Sequence, residues 1–242
     1  PLVLEDGQYQ IDFERFRTDV KGCKILILSN PHNPGGRVWT REELAEIAEI
    51  CYDNQVLVIS DEIHADLTLP GYTHPTFALV SEKARRNSLV FMSPSKAFNM
   101  PGLASSYCII EDEDIRRRFQ TYMEASEFSE GHLFAYLGVA AAYSNGTEWL
   151  DQVLEYIQGN IDFTDEYLNA NIPAIRMIRP QASYLIFLDC RELGLSQKEL
   201  VSFFVDDAHL ALNDGAMFGK EGEGFMRLNV ACPRSVLKQA LD

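Results

Sequence analysis

Three short polar segments carry the residues whose types and spacing could do chemistry. They are Asn30–Gly36 (NPHNPGG), Ser60–His64 (SDEIH) and Ser93–Lys96 (SPSK), and each follows an apolar run typical of a strand. Open α/β sheets place their ligand sites at the carboxyl ends of strands. The order of these segments therefore predicts a ligand site built from strand ends.

Lys96 offers an amine in the segment Ser93–Lys96, which directly follows the apolar run Leu89–Met92, and the hydroxyls of Ser93 and Ser95 lie beside it in sequence. Lysine is rarely buried without a role, and two neighbouring hydroxyls suit a phosphate group. The segment therefore favours a reactive amine close to a bound phosphate. The alternative is a structural lysine whose aliphatic stem is buried while its amine reaches water.

Asp61, Glu62 and His64 come at the end of an otherwise apolar strand, where a carboxylate needs a partner. Asp61 could instead cap a helix, with His64 at the surface. Metal binding is disfavoured because no second histidine lies at a ligand spacing. For the segment Asn30–Gly36 the alternative is a simple tight turn, since proline and glycine fix the unusual dihedral angles of turns.

Arg227 lies near the C-terminus in a predicted strand with apolar neighbours. Its planar guanidinium matches a carboxylate through two parallel hydrogen bonds, which predicts that it binds the carboxylate of a substrate. An exposed strand arginine is the alternative. Arg234, further along, is interpreted as a helix-start or surface residue.

The elements that must position these residues alternate between short strands and amphipathic helices in the first half of the chain, a pattern typical of a parallel sheet covered by helices. Thr40 and Glu43 form a predicted capping box for a helix that runs to about Asn54. Another helix is expected to open in the acidic run 111–114. The predicted strands are Ile25–Ser29, Val56–Ser60, Leu89–Met92 and Ser105–Ile110.

The second half begins with mostly helical sequence from about Leu133 to Asn169, interrupted near Asn145-Gly146. A helix from Ser196 to about Asp207 follows among strands. This pattern predicts a smaller α+β domain, with boundaries at 1–145 and 146–242. The strands expected in it are Ala174–Ile178, Tyr184–Asp189 and Phe225–Val230.

Composition excludes several classes of function. The chain has 242 residues, 46% of them hydrophobic, and a formal net charge of -15, which disfavours nucleic acid or an anionic membrane as the main partner. No apolar run reaches the roughly 18 residues that a membrane helix needs, so the cytoplasm is the expected location. Five cysteines without a C-x-x-C spacing argue against both a disulfide framework and a zinc site, and we expect buried free thiols.

Taken together, in this order and at these separations, the three segments resemble the large domain of fold-type I enzymes that use pyridoxal 5'-phosphate (PLP), aminotransferase class I/II. The sequences SDEIHAD from Ser60, LNDGAMFG from Leu212 and RLNVACPRS from Arg227 resemble the MalY/PatB branch of cystathionine β-lyase-like carbon–sulfur lyases. The resemblance covers nearly the entire chain. It implies an α/β, PLP-dependent transferase (aspartate aminotransferase) fold, in which 1–145 is part of the large PLP-binding domain and 146–242 the small domain.

The resemblance also implies a role for each matching residue. Lys96 would bond the cofactor and act as the catalytic base, and Asp61 would pair with the pyridine nitrogen and keep it protonated. Asn33 would hydrogen-bond the cofactor's 3'-oxygen. Ser93, and with less support Ser95, would contact the phosphate. Arg227 would bind the α-carboxylate of the amino-acid substrate.

Two positions depart from the pattern of many aminotransferases. A tyrosine commonly follows the aspartate by three positions and shares the 3'-oxygen of the cofactor, and His64 stands there in this sequence. An arginine commonly follows the lysine by eight positions and binds the phosphate, and Ala104 stands there. We therefore expect a changed donor near the 3'-oxygen and less positive charge near the phosphate.

The activity implied is cleavage of the bond between Cβ and sulfur in a cystathionine- or cysteine-type amino acid, giving thiol, pyruvate and ammonia. A PLP-dependent aminotransferase is the first alternative, because transamination begins with the same proton abstraction. A non-catalytic PLP-binding regulatory module is the second. By analogy with the family, a homodimer that acts on a small amino-acid substrate is expected.

Members of this family carry a substantial segment before the part that the sequence matches. That segment includes a helix N-terminus that binds phosphate and an aromatic residue that stacks on the cofactor ring. Neither is identifiable in these 242 residues. We therefore expect a fragment, or a chain observed only in part, and weak cofactor binding and poor activity if the segment is truly absent.

Overall fold

Two sheets of different construction organise the chain. The computed structural model describes residues 2–128 and 131–242. One unit, here called the parallel-sheet unit, consists of Asp12–His32 and Val38–Gln152. The other, the antiparallel-sheet unit, consists of Pro1–Ile11, Asn33–Arg37 and Val153–Asp242. The domain boundaries at 1–145 and 146–242 stay a prediction.

The strands and helices alternate along most of the chain. The strands are β1 (Val3–Glu5), β2 (Gln8–Gln10), β3 (Ile25–Ser29), β4 (Leu57–Asp61), β5 (Ser88–Met92), β6 (Tyr107–Ile109), β7 (Arg176–Ile178), β8 (Leu185–Asp189), β9 (Asn213–Asp214) and β10 (Phe225–Asn229). The α-helices are α1 (Phe13–Asp19), α2 (Arg41–Asp53), α3 (Glu82–Arg86), α4 (Pro94–Ala97), α5 (Glu113–Ala125), α6 (Leu133–Asn145), α7 (Thr147–Asn171), α8 (Gln197–Ser202) and α9 (Arg234–Leu241).

The sheet of the parallel-sheet unit has the strand order β3-β4-β5-β6. The first three strands are parallel to one another and β6 is antiparallel to β5. In the register, Ser29 pairs with Asp61, and Asp61 pairs with Phe91. The carboxyl ends of β3, β4 and β5 therefore lie at one edge of the sheet, as the sequence predicted.

Helix α2 shows how local sequence builds this unit. Glu43 N donates to Thr40 Oγ1 at 3.2 Å and Thr40 N donates to Glu43 Oε2 at 2.6 Å, so the predicted capping box is confirmed. The buried side chains of α2 include Leu44, Ile47 and Cys51, which repeat at helical spacing and face the core. Burial raises the pKa of the Cys51 thiol to about 12.

The antiparallel-sheet unit contains a sheet of order β7-β8-β10-β9, in which every pair of neighbours is antiparallel, and the separate hairpin β1-β2. Phe187 of β8 and Phe225 of β10 stack with ring centroids 4.8 Å apart. Tyr9 of the hairpin and Ile178 of β7 are buried in the same cluster. This aromatic core fixes the register of β10, the strand that carries Arg227.

The observed boundaries of most strands differ by one or two residues from the predicted ones. Strand β4 includes Asp61 as its last residue, and β6 is shorter than the run Ser105–Ile110. The helix expected to run from Ser196 to about Asp207 changes after Ser202 into a π-helix, where Ala208 N donates to Phe203 O at 2.9 Å. The cysteines also differ, since Cys23 is exposed and only Cys51 and Cys190 are fully buried.

Helix α6 is apolar but scarcely buried within this chain. Ala135 is its one fully buried side chain among the described residues, whereas Leu133 and Phe134 are 66% and 64% exposed. Within residues 2–128 and 131–242, no helix is both long and apolar enough to cross a bilayer.

Candidate active site

The ends of two neighbouring parallel strands bring most of the predicted site residues to one sheet edge. Strand β4 ends at Asp61, and β5 ends at Met92, directly before Ser93 and α4. Strands β4 and β5 run parallel, and Asp61 pairs with Phe91. Asp61 and Lys96 therefore both lie near the carboxyl ends of these strands, at the same edge of the sheet. Helix α4 also packs beside the 3-10 turn Ala65–Leu67, which follows His64.

Lys96 and Asp61 are both half-buried at this edge. No hydrogen bond or ion pair engages Lys96 Nζ within the part of the chain that the structure describes. Asp61 Oδ1 accepts a hydrogen bond from Ile63 N at 3.2 Å. Asp61 caps no helix, because the 3-10 turn that follows spans Ala65–Leu67, has His64 at its N-cap position and has no side-chain cap.

Ser93 has a structural task of its own. Its Oγ accepts from Ser95 N at 3.1 Å as the N-cap of α4, and it lies 2.6 Å from Ser105 O and 2.7 Å from Ser95 Oγ. A hydroxyl carries one hydrogen, so Ser93 cannot donate to both oxygens at once. When Ser93 donates to Ser105 O, the hydroxyl hydrogen of Ser95 is the one that can turn towards a phosphate.

His64 and Glu62 lie inside the unit. They are 4% and 1% exposed, which rules out a surface histidine. Glu62 accepts hydrogen bonds from Ser60 Oγ, from Phe77 N and from His74 Nε2, at 2.9, 2.8 and 2.8 Å. His74 was not singled out from the sequence, because it lies in a loop twelve residues beyond Glu62 and only the fold brings the two together.

The turn that follows β3 contains two cis peptide bonds, Asn30-Pro31 and Asn33-Pro34. Gly36 has a φ of 67°, and a Cβ atom there would lie 2.4 Å from Pro180 Cβ, so only glycine fits. Asn33 and Gly36 belong to the antiparallel-sheet unit. The residue types in this turn are therefore constrained at particular positions, which the general preference of proline and glycine for turns does not explain.

The burial of the His32 ring predicts a pH-dependent stability. Its ring lies 6.0 Å from that of Trp39, and burial lowers the pKa of His32 to about 4. In the unfolded chain a histidine binds a proton below about pH 6.5, so between pH 6.5 and 4 the unfolded state binds more protons than the folded state. We expect the free energy of unfolding to fall by about 3 kcal/mol as the pH drops from 7 to 4.

Urea unfolding at pH 7, 5.5 and 4, monitored by circular dichroism, measures this loss. The variant His32→Gln, which cannot titrate, is expected to lose less stability over the same range. His209, an exposed histidine in the other unit, supplies the matched control His209→Gln. Equal pH dependence of wild type and His32→Gln would contradict the assignment.

Arg227 is half-buried in β10 and held by two asparagine side chains of its own unit. Its Nη1 donates to Asn33 Oδ1 at 3.0 Å, and its Nη2 donates to Asn213 Oδ1 at 2.8 Å. Its guanidinium carbon lies 4.8 Å from the centre of the Phe218 ring. Burial lowers the pKa of Arg227. Arg227 is therefore not an exposed strand arginine, and its guanidinium plane is already oriented.

Arg227 Nε is buried and makes no hydrogen bond within the described residues. Neutral amide oxygens leave the positive charge of the guanidinium without a carboxylate partner. The chemistry of the guanidinium favours an anion as a further partner of Arg227. The sequence did not identify Asn213 and Phe218 as site residues, although both lie in the segment from Leu212 that resembles the family.

The residues of the predicted site thus fall into two groups. Asp61, His64, Ser93, Ser95 and Lys96 belong to the parallel-sheet unit, and Asn33 and Arg227 belong to the antiparallel-sheet unit. Ala104, where many aminotransferases have an arginine, follows the 3-10 turn Pro101–Leu103 with a φ of 47°. The described residues contain no group of three or more potential metal ligands.

The chain matches a known protein family over nearly its whole length. The family model described as aminotransferase class I and II matches residues 3–242. The chain belongs to the aminotransferase class I and II family. The aspartate aminotransferase fold expected from the sequence is confirmed by solved structures of the family.

Relatives similar to this chain include bacterial proteins. Cystathionine beta-lyase PatB of Bacillus subtilis (strain 168) is 40% identical over the whole chain, which covers 63% of PatB. A PLP-bound protein of Clostridium difficile 630, described as an aminotransferase, has 40% identity and a TM-score of 0.97, with 100% of this chain and 62% of that chain covered.

Cystalysin from Treponema denticola, whose structure contains a PLP cofactor, has 34% identity and a TM-score of 0.96. The match covers 99% of this chain and 61% of cystalysin. The chain therefore spans about three fifths of the length of these relatives. Within the aminotransferase class I and II family, it matches both carbon–sulfur lyases and proteins described as aminotransferases.

Proposed function

We propose that the complete protein is a PLP-dependent carbon–sulfur β-lyase that acts on a cystathionine- or cysteine-type amino acid. The observation that carries the proposal is the placement of Asp61 at the end of β4 and of Lys96 just beyond the neighbouring parallel strand β5, in a chain 40% identical to cystathionine beta-lyase PatB. Aminotransferase activity is the second candidate, since one close structural relative is described as an aminotransferase.

The donor set at the sheet edge fits PLP. An amine suits the cofactor's aldehyde, a carboxylate suits its pyridine nitrogen, and hydroxyls suit its phosphate. Lys96, Asp61 and Ser95 supply these three groups, and Lys96 Nζ makes no competing hydrogen bond within the described chain. Asn33 would donate its amide hydrogens to the 3'-oxygen, because its Oδ1 already accepts from Arg227.

The residues of this chain would then divide the work of the reaction. Lys96 would hold the cofactor covalently and, once the substrate's amine has replaced it, would take the proton from substrate Cα. Asp61 would keep a proton on the pyridine nitrogen through its negative charge. When bound, PLP supplies a sink for the electron pair left at Cα. Lys96 and Asp61 are both half-buried, which limits the access of water to each group.

Arg227 would bind the α-carboxylate of the substrate. Asn33 and Asn213 fix the guanidinium plane before substrate arrives, so little side-chain entropy would be lost on binding. Phe218 covers one face of the guanidinium and limits the directions from which an anion can approach. A carboxylate that reaches Arg227 can replace or supplement the asparagine oxygens with a stronger, charge-assisted pair.

Arg227→Lys is expected to raise KM for the amino acid by about 100-fold while kcat falls less, since lysine keeps the charge but loses the fork. Steady-state kinetics with L-cystathionine measures both constants. Arg191, an exposed arginine near the end of β8, supplies the matched control Arg191→Lys. An unchanged KM in Arg227→Lys would remove Arg227 from the substrate site.

One experiment separates the two candidate activities. The complete protein, loaded with PLP, is incubated with L-cystathionine or L-cysteine, and separately with an amino acid and 2-oxoglutarate. Formation of pyruvate together with thiol supports the lyase. Formation of glutamate without pyruvate supports the aminotransferase and overturns the primary proposal.

We also propose that the complete protein is a homodimer, as its family resemblance suggests. The exposed apolar side chains of α6, such as Leu133 and Phe134, are surface that an interface between two copies would cover. Sedimentation velocity of the complete protein is expected to give twice the monomer mass. A monomer at micromolar concentration would contradict the proposal. The cytoplasmic location stays a prediction.

A further inference from the structure

Glu62 is the most completely buried carboxylate at the edge of the parallel sheet. Its side chain is fully enclosed and that of His74 is 8% exposed. Glu62 Oε1 accepts from Ser60 Oγ at 2.9 Å, from Phe77 N at 2.8 Å and, at a longer 3.4 Å, from Asn30 Nδ2. Glu62 Oε2 pairs with His74 Nε2 at 2.8 Å.

This arrangement joins three segments that are distant in sequence. Asn30 begins the turn after β3, Ser60 belongs to β4, and His74 and Phe77 belong to the loop before α3. Both Glu62 oxygens are satisfied by donors, which is the condition for keeping a carboxylate in the protein interior. His74 Nδ1 is buried and makes no hydrogen bond within the described residues, so Nε2 carries the hydrogen that Glu62 accepts.

Glu62 directly follows Asp61, the last residue of β4. Ser60 and Glu62 are both buried and hydrogen-bonded to each other, whereas Asp61 between them is half-buried, so Asp61 points away from the face that they share. Glu62 N donates to Phe91 O at 2.8 Å, and Asn30 N donates to Asp61 O at 2.9 Å. The backbone of Asp61 is therefore held from both neighbouring strands and by the buried side chain that follows it.

We propose that Glu62 and His74 form a positioning pair, which aims the Asp61 carboxylate at the cofactor's pyridine nitrogen. The proposal rests on the proposed PLP-dependent function, and neither residue touches cofactor or substrate. A purely structural pair would stabilise the fold without affecting what Asp61 does. If the pair positions Asp61, the effect of changing Glu62 on kcat and PLP dissociation requires the Asp61 carboxylate. If the pair is purely structural, that effect is the same with or without the carboxylate.

The test is a double-mutant cycle in the complete, PLP-loaded protein, built from Glu62→Gln and Asp61→Asn. Glu62→Gln keeps the side-chain shape but places an amide hydrogen where one of the donors points. We expect Glu62→Gln to lower kcat by about 30-fold with KM changed less than about 3-fold, and to speed PLP dissociation by about 10-fold. In the Asp61→Asn background, the same change is expected to alter kcat and PLP dissociation less than about 3-fold.

His74 provides an independent arm if Glu62→Gln folds poorly. His74→Leu removes the donor to Glu62 at similar volume, and His74→Gln restores an amide hydrogen at that place. We expect His74→Leu to reproduce the loss of kcat and the faster PLP dissociation, and His74→Gln to recover most of both. The control is Ser88→Ala, which removes the buried bond from Ser88 Oγ to Ala84 O at 2.7 Å in the neighbouring strand. It should cost stability without changing either readout.

The outcomes separate this proposal from the proposed function. Wild-type protein that takes up no PLP overturns the proposed function and the positioning pair together. A second outcome is that wild-type protein binds PLP but Glu62→Gln causes the same loss of kcat with and without Asp61→Asn. That outcome overturns the positioning pair alone. Equal losses in His74→Leu and His74→Gln would do the same.

Discussion

On the proposed function, replacing Lys96 by alanine is expected to lower kcat/KM of the complete protein for L-cystathionine by about 10⁴-fold or more, because one amine would both hold the cofactor and remove the Cα proton. The structure supports this double task. Lys96 follows the carboxyl end of β5, its side chain is half-buried, and its amine makes no hydrogen bond or ion pair in the described part of the chain. Pyruvate formation measures the loss.

A second measurement shows whether Lys96 carries the cofactor. Borohydride reduction of the wild-type protein with PLP should fix the cofactor to the peptide that contains Lys96, as mass spectrometry detects. The variant Lys96→Ala should show no such adduct. Lys198→Ala, which removes an exposed lysine from α8, is the matched control and should behave as wild type. An adduct on another lysine, with activity kept in Lys96→Ala, would refute the assignment.

Much of the fold was predictable because its signals are local. The capping box of Thr40 and Glu43 requires residues three positions apart, and the break between α6 and α7 falls at Gly146, where the sequence indicated it. The π-helix Phe203–Asp207 was not predictable in this way. Its hydrogen bonds differ from those of an α-helix by one residue, and apolar periodicity does not resolve that difference.

The residues of the candidate site were likewise predictable only where their sequence signals are local. Asp61 and Lys96 were found because Asp61 ends an otherwise apolar strand and Lys96 lies in the short polar segment after the next one, where a charged residue is conspicuous. The supports of the site were missed because they come from far along the chain. His74 reaches Glu62 from a loop, and Asn33 meets Arg227 across 194 positions. No periodicity or spacing rule links such pairs, and only packing brings them together.

The same reasoning explains why the turn Asn30–Gly36 was ambiguous in sequence. Proline and glycine suggest a turn of any kind. In the structure, Asn30 contributes to the Glu62 cluster, and Asn33 contributes to the Arg227 group. The two asparagines therefore make hydrogen bonds within different units. A single motif that contains both could not predict these separate contacts.

Asp61→Asn is expected to lower kcat by about 10²- to 10⁴-fold, because a neutral amide cannot hold a proton on the pyridine nitrogen as a carboxylate can. The change keeps the shape of the side chain and its acceptor oxygen, so the 3.2 Å hydrogen bond from Ile63 N can persist and the fold should be retained. KM should change little, since Arg227 is held by other residues. Pyruvate formation under saturating substrate measures kcat.

A chemically altered cofactor tests the reason for this loss. PLP methylated at its ring nitrogen carries a fixed positive charge that needs no proton, so it should restore Asp61→Asn by about 10-fold or more over PLP itself. Asp189, like Asp61, is a half-buried acid at the end of a strand, and Asp189→Asn should neither lose comparable activity nor gain from the methylated cofactor. If Asp61→Asn is equally impaired with both cofactors, the carboxylate acts in another way, and the pairing of Asp61 with the ring nitrogen is wrong.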